Sequence, residues 1–527
     1  MMPELITLPG GIVVEWWQLV VLLVGLVGLA AAKVLLNKPA RPRSSRDEVA
    51  RARDTSPVWA TRADVQGLVT AEYDPRRVRL GYLGPDLLCN PLLRSLLVLA
   101  PTGAGKTPRV VVPNVLVHRG PVLAGSVKGD LLHLTVKRRR EFGPVTVFDP
   151  TDVSGQANCR WSPLAAITTY ADAGRAASWL SESSKSGNAG VEAAQFWDSL
   201  GRRMLAPMLF AAARTRETMS TVARWTQLQQ YEKVTAILDE IDDPDAIMGW
   251  SAFVNTHART RDSVANTGWT VLEAWAHPDV RHAVGVTADD WDGLDIDQLL
   301  TDYGTLYLVA PASEQRFFTP IFETLVNAVL QRVETMAAQR QGIALDPPLL
   351  LALDEAANVA PLRRLDQIAS KGAGEGIVLL TVWQNEAQID KIYGAVDART
   401  ILGNHTARLY MSGITDQQTL DSLSRLIGTD TIDRETTQTD RDGRTSRSRT
   451  PTDIEVAPSP WLRQLPDDVA VLITSKFKPA KVSLPGWWED DTLRPLVDPA
   501  VAAAYDTAHG SHDSKPRRAA RKQKQTA

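Results

Sequence analysis

The chain has 527 residues, a formal net charge of −3 and a sequence pI of about 6.3. This length allows about two or three domains, and the nearly balanced charge excludes a globally basic nucleic-acid-binding protein. The two cysteines, Cys89 and Cys159, cannot form a disulfide framework. The low cysteine content is therefore typical of a protein from a reducing compartment. Because the overall charge is nearly balanced, any contact with DNA must be local.

The first apolar stretch, from Trp16 to Leu36, is long enough for one crossing of a bilayer. Lysine and arginine residues follow it and none precedes it, so the positive-inside rule places the bulk of the chain in the cytoplasm. We therefore expect a single-pass protein of the inner (cytoplasmic) membrane, with a lipid-contacting anchor at residues 1–38 and a linker at 39–65. A cleaved signal peptide is the alternative, because Ala30 to Ala32 resemble a cleavage site.

A glycine-rich loop follows a short apolar strand at residues 96–99 and precedes a predicted helix at 109–117. In such a loop the glycines let backbone N–H groups turn towards phosphates, the lysine reaches the β- and γ-phosphates, and the threonine hydroxyl binds Mg²⁺. A chance match is the alternative, and the flanking strand and helix argue against it. The predicted nucleotide-binding residues are Ala100, Pro101, Thr102, Gly103, Ala104, Gly105, Lys106 and Thr107. The general pattern has glycine where this chain has Ala100, which we interpret as a tolerated variant.

Strands and helices alternate around this loop. A helix rich in lysine and arginine, residues 131–141, separates two of the predicted strands. Such alternation predicts a doubly wound parallel sheet, and residues 66–164 form the first part of a nucleotide-binding domain. The predicted strands of this part, besides 96–99, are residues 67–70, 77–82, 121–127 and 144–148.

Strand signals disappear in the next part of the chain, residues 165–300. Apolar residues recur there at three- and four-residue spacing, which predicts an all-α insertion domain. The predicted helices are residues 173–180, 191–213, 222–241 and 263–276. This region is rich in tryptophan, and we interpret the indole rings as packing between helices; an exposed partner-binding face is the alternative.

An acidic pair, Asp354-Glu355, ends the apolar strand at residues 348–353. Carboxylates at the end of a buried parallel strand are placed for phosphate chemistry. We expect Asp354 to hold Mg²⁺ and Glu355 to act as the general base for an attacking water. In the alternative interpretation, the two residues simply begin a helix as its N-cap and first residue.

A third buried strand, residues 376–382, leads into Gln384. An amide at this position can hydrogen-bond the γ-phosphate and report its loss, although a polar residue at the start of a helix would look the same. Residues 301–487 complete the nucleotide-binding domain, with 429–453 as an exposed hairpin or a disordered insert. Residues 488–527 are predicted to be a disordered basic tail, which serves solubility or contacts DNA or lipid.

Seven stretches together resemble the TraG/VirD4 family of type IV secretion coupling proteins, the membrane ATPases of bacterial conjugation. They are Ala100–Thr107, Val127–Asp130, Phe148–Pro150, Phe196–Asp198, Leu353–Ala356, Gly376–Gln384 and Leu465–Asp468. The resemblance implies an α/β fold: a RecA-like P-loop NTPase sheet with an inserted all-α domain that receives cargo. It also implies ATP and Mg²⁺ as cofactors, a homo-hexameric ring, and motor roles for Lys106, Thr107, Asp354, Glu355 and Gln384.

This chain departs from the family in two respects. Many members have two membrane helices, whereas only one is predicted here. Several members also have an arginine, thought to reach the neighbouring subunit's nucleotide, in the loop before the glutamine strand. Here that loop, residues 370–376, has no arginine. Lys371, Arg363 and Arg364 are the candidates for this cation, and a lysine could not bridge phosphate oxygens in the bidentate manner of arginine.

The sequence therefore predicts a membrane-anchored P-loop ATPase that delivers DNA or protein cargo to a type IV secretion channel. Its expected partners are further copies of itself, single-stranded DNA with its relaxase, the channel components and membrane lipid. One alternative is an FtsK-like translocase of double-stranded DNA, which usually adds a C-terminal winged helix that the tail after residue 487 is too short to hold. The other is a non-catalytic, nucleotide-gated cargo receptor.

Overall fold

The computed structural model describes residues 5–7, 13–15, 53–70, 73–74, 76–126, 129–183, 191–287, 293–309, 315–439 and 445–509. The chain forms two compact units, which are residues 1–56 with 430–454, and residues 57–429 with 455–527. In the smaller unit, strands β1 (Leu5–Thr7) and β2 (Val13–Glu15) pair antiparallel. Strands β12 (Thr429–Thr439) and β13 (Thr445–Glu455) form a second two-stranded sheet. The hairpin interpretation of residues 429–453 is therefore confirmed over the described part.

The larger unit is built on an eleven-stranded sheet, as far as the chain is described. Its strands in chain order are β3 (Arg79–Leu83), β4 (Asp86–Cys89), β5 (Leu96–Leu99), β6 (Val122–Ser126), β7 (Val145–Phe148), β8 (Thr305–Val309), β9 (Leu349–Leu353), β10 (Ile377–Trp383), β11 (Ala407–Met411), β14 (Val469–Thr474) and β15 (Ala480–Ser483). Their spatial order is β4-β3-β15-β14-β11-β5-β10-β9-β6-β8-β7. In this spatial order, the seven strands β11, β5, β10, β9, β6, β8 and β7 are parallel to one another. The remaining strands, β4, β3, β15 and β14, pair antiparallel with their neighbours.

Side chains of the central strands alternate between two hydrophobic cores. On β5, Leu97 and Leu99 belong to the core on one face of the sheet, and Leu96 and Val98 to the core on the other. All four are fully buried. Because helices cover both faces of a parallel sheet, its strands are apolar on both sides, which explains the unbroken apolar runs seen in the sequence.

Seventeen α-helices are described in the chain, and those that pack on the sheet cover both of its faces. In chain order, the helices are α1 (Val112–Val117), α2 (Asp130–Arg140), α3 (Tyr170–Ser183), α4 (Val191–Arg214), α5 (Met219–Gln227), α6 (Tyr231–Ile241), α7 (Pro244–Val254), α8 (Ala258–Ala276), α9 (Arg281–Val284), α10 (Ile296–Thr301), α11 (Gln315–Gln339), α12 (Ala356–Val359), α13 (Leu365–Glu375), α14 (Glu386–Asn404), α15 (Gln417–Ile427), α16 (Ser459–Arg463) and α17 (Pro499–His509). A π-helical turn, Thr107–Val111, leads into α1.

The region between β7 and β8 is helical, as predicted for residues 165–300. Its helices share one continuous hydrophobic core with the sheet face that carries Leu97 and Leu99. Trp225, Trp250 and Trp275 are buried within this core. The interpretation of these indole rings as packing residues is therefore confirmed.

Three local predictions need correction. Residues 67–70 form no strand, because only Val69 makes a single β-bridge, to Leu88. Residues 222–241 are two helices, α5 and α6, because Gln229 takes a positive φ of 49° and reverses the chain. The predicted disordered tail at 488–527 is ordered as far as His509: buried Trp488, Leu493 and Val497 are followed by α17.

The predicted localisation also needs correction. A helix needs about 20 apolar residues to cross a bilayer, and no helix in the described part of the chain is long and apolar enough to do so. This finding overturns the prediction of a single-pass protein of the inner membrane. The stretch predicted to cross the bilayer, residues 16–36, lies outside the described residues.

Gly125 on β6 provides a test of this packing, because a Cβ atom there would lie 2.7 Å from Cγ1 of Val359 on α12. We expect Gly125→Ala to lower the free energy of unfolding by about 1–3 kcal/mol, as overpacking of a core does. Gly174→Ala is the matched control, because Gly174 lies in α3 and no described atom beyond its own helix lies within 4 Å of its Cβ position. It should leave stability unchanged or raise it, since alanine favours a helix. Equal urea midpoints for the two variants would contradict the packing described for β6 and α12.

Candidate nucleotide-binding site

The glycine-rich loop has the backbone conformation that phosphate binding requires. Gly103 and Gly105 take positive φ values of 88° and 74°, which glycine adopts without the steric cost of a side chain. Ala100 is fully buried and still continues the sheet, because its N–H donates to the carbonyl oxygen of Trp383 at 2.9 Å. The backbone at this position does not take the positive φ that favours glycine, which explains why alanine is accepted there.

Two side-chain contacts join the loop to the acidic pair. Lys106 Nζ lies 2.9 Å from Glu355 Oε1, and the Thr107 hydroxyl donates to Asp354 Oδ2 at 2.5 Å. Lys106 is buried, and the Glu355 side chain is 21% exposed. The four residues that sequence analysis assigned to phosphate, metal and base are therefore in direct contact.

The register of the parallel strands explains this contact. Strand β10 lies between β5, which leads into the loop, and β9, which leads into the acidic pair. The backbone N–H of Asp354 donates to Gly125 at the end of β6, at 2.9 Å. The carboxyl ends of these strands meet at one edge of the sheet, where ligands bind in such folds.

Asp354 is placed to hold a divalent cation. It is 4% exposed, and burial raises the pKa of its carboxyl group to about 6. Its Oδ1 atom is buried and has no hydrogen-bond partner among the described residues. An unpartnered carboxylate oxygen beside the hydroxyl of Thr107 matches the oxygen ligands that Mg²⁺ prefers, so the residues present fit the predicted ion.

Glu355 does not behave as a helix cap, which was the alternative interpretation of the acidic pair. It stands at the N-cap position of α12, yet its side chain makes no capping hydrogen bond. Its backbone has a φ of 69°, a left-handed conformation that is uncommon outside glycine and recurs at functional sites. Its carboxylate contacts Lys106 through Oε1 and accepts a hydrogen bond from Asn358 Nδ2 through Oε2, at 3.2 Å.

Gln384 directly follows β10, at the same edge of the sheet. Its N–H donates to Gln388 Oε1 at 2.9 Å, and the next residue, Asn385, caps α14. Among the described residues, the Gln384 side chain has no hydrogen bond to Lys106, Thr107 or the acidic pair. Its role as a γ-phosphate sensor stays a prediction.

The three candidate trans cations lie on and before α13. The segment predicted as a loop, residues 370–376, is helical as far as Glu375, with Gly376 as the left-handed residue that ends the helix. Lys371 is exposed on this helix. Arg364 contacts Gln367 and Glu334, and Arg363 lies in the preceding turn. Their role across a subunit boundary stays a prediction.

Residues 484–489, which no sequence pattern links to the P-loop, contact the start of the helix that follows it. Arg109 donates to the carbonyl oxygen of Leu484 at 2.8 Å, pairs with Glu489 at 3.1 Å and lies 5.3 Å from the ring centre of Trp488. The N–H of Trp487 donates to the carbonyl oxygen of Pro108. No local pattern signals these contacts, because the partners are about 375 residues apart.

The fold and the site together are consistent with a P-loop NTPase. The profile of a family described as type IV secretory system conjugative DNA transfer matches residues 70–522, and the chain belongs to this family. The resemblance to TraG/VirD4 coupling proteins is thereby confirmed.

Individual relatives agree with this assignment. The chain is 23% identical over 428 residues to protein VirD4 of Agrobacterium fabrum, covering 78% of this chain and 61% of VirD4. It is 22% identical over 419 residues to the conjugal transfer protein TraG of the same organism, covering 76% and 61%. The chain thus spans about 61% of the length of these curated relatives.

Solved structures agree on the fold. The bacterial conjugative coupling protein TrwBdeltaN70 superposes with a TM-score of 0.60 at 18% identity, covering 81% of this chain and 93% of that one. TrwB in complex with the ATP analogue ADPNP gives 0.59 at 19% identity, covering 81% and 92%. TrwB has also been solved with ADP and Mg²⁺. At these identities the comparison shows the fold alone, and it confirms the predicted α/β fold with a large parallel sheet.

The buried carboxylate of Asp354 should lower the stability of the metal-free protein, while it provides a ligand for the metal ion. Burial raises its pKa from the model-compound value of 3.8 to about 6, so its ionised form costs the metal-free fold about 3 kcal/mol at pH 7. This cost is absent below the unfolded-state pKa and grows as pH rises towards 6. We therefore expect metal-free Asp354→Asn to have a higher Tm than the wild type at pH 7.5 and an equal Tm near pH 4.

The same variant should lose the Mg²⁺-dependent part of ADP binding, measured by calorimetry with and without Mg²⁺. A less stable Asp354→Asn that still binds Mg²⁺·ADP would contradict both the cost of burial and the assignment of the metal ligand.

Proposed function

We propose that this protein is an ATP-hydrolysing coupling protein, which brings relaxase-bound single-stranded DNA or protein cargo to a type IV secretion channel during conjugation. One observation carries the proposal: the contacts of Lys106 with Glu355 and of Thr107 with Asp354, in a chain of the conjugative DNA transfer family. A chain that only docks cargo has no need of a general base beside the phosphate-binding lysine.

The site residues have distinct tasks in ATP hydrolysis. The loop N–H groups bind the phosphates, and the ammonium group of Lys106 exchanges the Glu355 carboxylate for the β- and γ-phosphates. Glu355, once released, takes a proton from the attacking water. Thr107 and Asp354 would hold Mg²⁺, which when bound neutralises charge on the phosphates.

We further propose that the chain works as a homo-hexameric ring in which the helical region at 165–300 receives cargo. The family assignment supports this proposal, as does the position of that region outside the nucleotide site. Gln384 then senses the γ-phosphate within its own subunit, and Lys371, Arg363 or Arg364 supplies the cation to the neighbouring one.

Glu355→Gln tests the hydrolytic role. The amide keeps the shape of the side chain and cannot accept the proton, so ATP turnover should fall at least about 100-fold while Mg²⁺·ATP still binds. Lys106→Ala is the comparison variant and should weaken binding as well, because the phosphate-binding cation is lost. Steady-state turnover and calorimetric ATP titration of both full-length variants give the answer. Normal hydrolysis by Glu355→Gln would refute its assignment as the base.

The type of DNA distinguishes the coupling protein from an FtsK-like translocase. We expect single-stranded DNA to stimulate ATP turnover more than duplex DNA, with a response that weakens as salt rises and counterion release is lost. In donor cells, Glu355→Gln should abolish plasmid transfer to recipients without changing plasmid inheritance in the donor. Stimulation by duplex DNA alone, with a partition defect, would favour the FtsK-like function. Normal transfer by the variant would favour the non-catalytic receptor.

A further inference from the structure

The carboxylate of Glu355 is held on both of its oxygens. Lys106 Nζ contacts Oε1 at 2.9 Å, and the side-chain amide of Asn358 donates to Oε2 at 3.2 Å. Asn358 is half-buried and belongs to none of the nucleotide-binding motifs. Its amide is the second contact of the group that the proposed function assigns as general base.

The backbone fixes Asn358 in this position. Asn358 follows Glu355 by three residues, and its own N–H donates to the Glu355 carbonyl oxygen at 2.9 Å. The short helix α12 is anchored by buried Ala356 and Val359, and Val359 packs closely against Gly125. The amide is therefore presented to the carboxylate by a turn whose other side is part of the core.

The two contacts of the carboxylate differ in what happens to them when ATP binds. Lys106 is the P-loop lysine, so its ammonium group is drawn to the β- and γ-phosphates. Asn358 carries no charge and lies on the strand-end turn, so no comparable force pulls it towards the phosphates. After the lysine has moved, the hydrogen bond from the Asn358 amide is the contact among the described residues that still orients the Glu355 carboxylate.

We propose that Asn358 is the positioning residue of the general base, an inference that rests on the ATPase function proposed above. By holding Oε2, it turns Oε1 towards the space that Lys106 leaves, on the phosphate side. There Oε1 takes one proton of the attacking water, and the water oxygen bonds to the γ-phosphorus. The bond from that phosphorus to the bridging oxygen breaks, its electron pair leaves with ADP, and inorganic phosphate is released.

Three substitutions separate the amide donor from the shape of the side chain. Asn358→Ala removes both, Asn358→Asp keeps the shape and loses the donor, and Asn358→Gln keeps a donor on a side chain one methylene longer. Asn404→Ala, at the last residue of α14, is the matched control, because its half-buried side-chain amide also donates a hydrogen bond, to the carbonyl oxygen of Asp366 at 3.4 Å. All four are made in the full-length chain, and kcat, KM for ATP, ADP affinity and Tm are measured for each.

We expect Asn358→Ala to lower kcat about 10- to 100-fold, part of what a positioned general base contributes, with KM and ADP affinity within about twofold of the wild type. Asn358→Asp should fall at least as far, and Asn358→Gln should recover a clear part of the loss. Asn404→Ala should keep the kcat, the KM for ATP and the ADP affinity of the wild type. In a Glu355→Gln background, Asn358→Ala should have little further effect, because the two residues act as a unit.

Each other outcome overturns the inference. Unchanged kcat in Asn358→Ala, or full activity in Asn358→Asp, would show that the amide has no positioning role. Equal losses of kcat, ADP affinity and Tm would show that Asn358 only supports the fold of α12. If the wild type shows no ATP turnover that depends on Lys106, the proposed function itself fails, and this inference fails with it.

Discussion

The ion pair between Lys106 and Glu355 is the contact around which this edge of the sheet is arranged. It joins residues 249 positions apart, at the end of strands that are otherwise apolar and fully buried. Buried charge is expensive, and a pair of this kind gives little net stability even when it is well satisfied. The raised pKa of Asp354 has the same origin, because burial disfavours its ionised form. The site is thus held together by the sheet and is not itself what holds the sheet together.

Several features of the surrounding chain serve to keep these charges in place. Gly125 leaves room for Val359, so that α12 can lie against β6 directly after the acidic pair. On the other flank, the segment from Leu484 to Glu489 contacts Pro108 and Arg109 at the start of the P-loop helix. Behind that segment, Arg79 and Asp490 form a buried ion pair at 2.9 Å. The loop and the acidic pair are therefore each fixed by contacts that reach into the core.

The parts of this structure that the sequence predicted are those with strong local signals. The runs at β5 and β9 are apolar throughout, β10 is interrupted only by Thr381, and the loop carries glycines where φ is positive. The sequence did not lead us to predict helices α7 and α17, although each has a clear start signal. Asp243 precedes α7 and Asp498 precedes α17, each is followed by a proline, and each side chain accepts a hydrogen bond from a backbone N–H of the first turn. These are an N-cap followed by proline at the first helical position.

Other features had no local signal, because they depend on which strands lie side by side. The break between α5 and α6 has no glycine or proline, and it is set where the N–H of Gln230 bonds to Trp225. The pairing of Asn358 with Glu355 could have been suspected from their spacing, but only once the segment was known to turn there.

In the proposed mechanism, the exchange of partners by Lys106 links nucleotide occupancy to the state of Glu355, the proposed general base. A lysine has one ammonium group, and the charge of a triphosphate exceeds that of a single carboxylate. Without nucleotide, Lys106 is paired with Glu355 through Oε1, so this oxygen is occupied and does not accept a proton from water. When phosphate takes the lysine, the base is released at the moment when a substrate is present to be attacked. Because β10 lies between the loop strand and the acidic strand, Gln384 emerges between the two groups that this exchange separates. The proposed γ-phosphate sensor would therefore pass a change at the nucleotide on to α14, which begins two residues after Gln384.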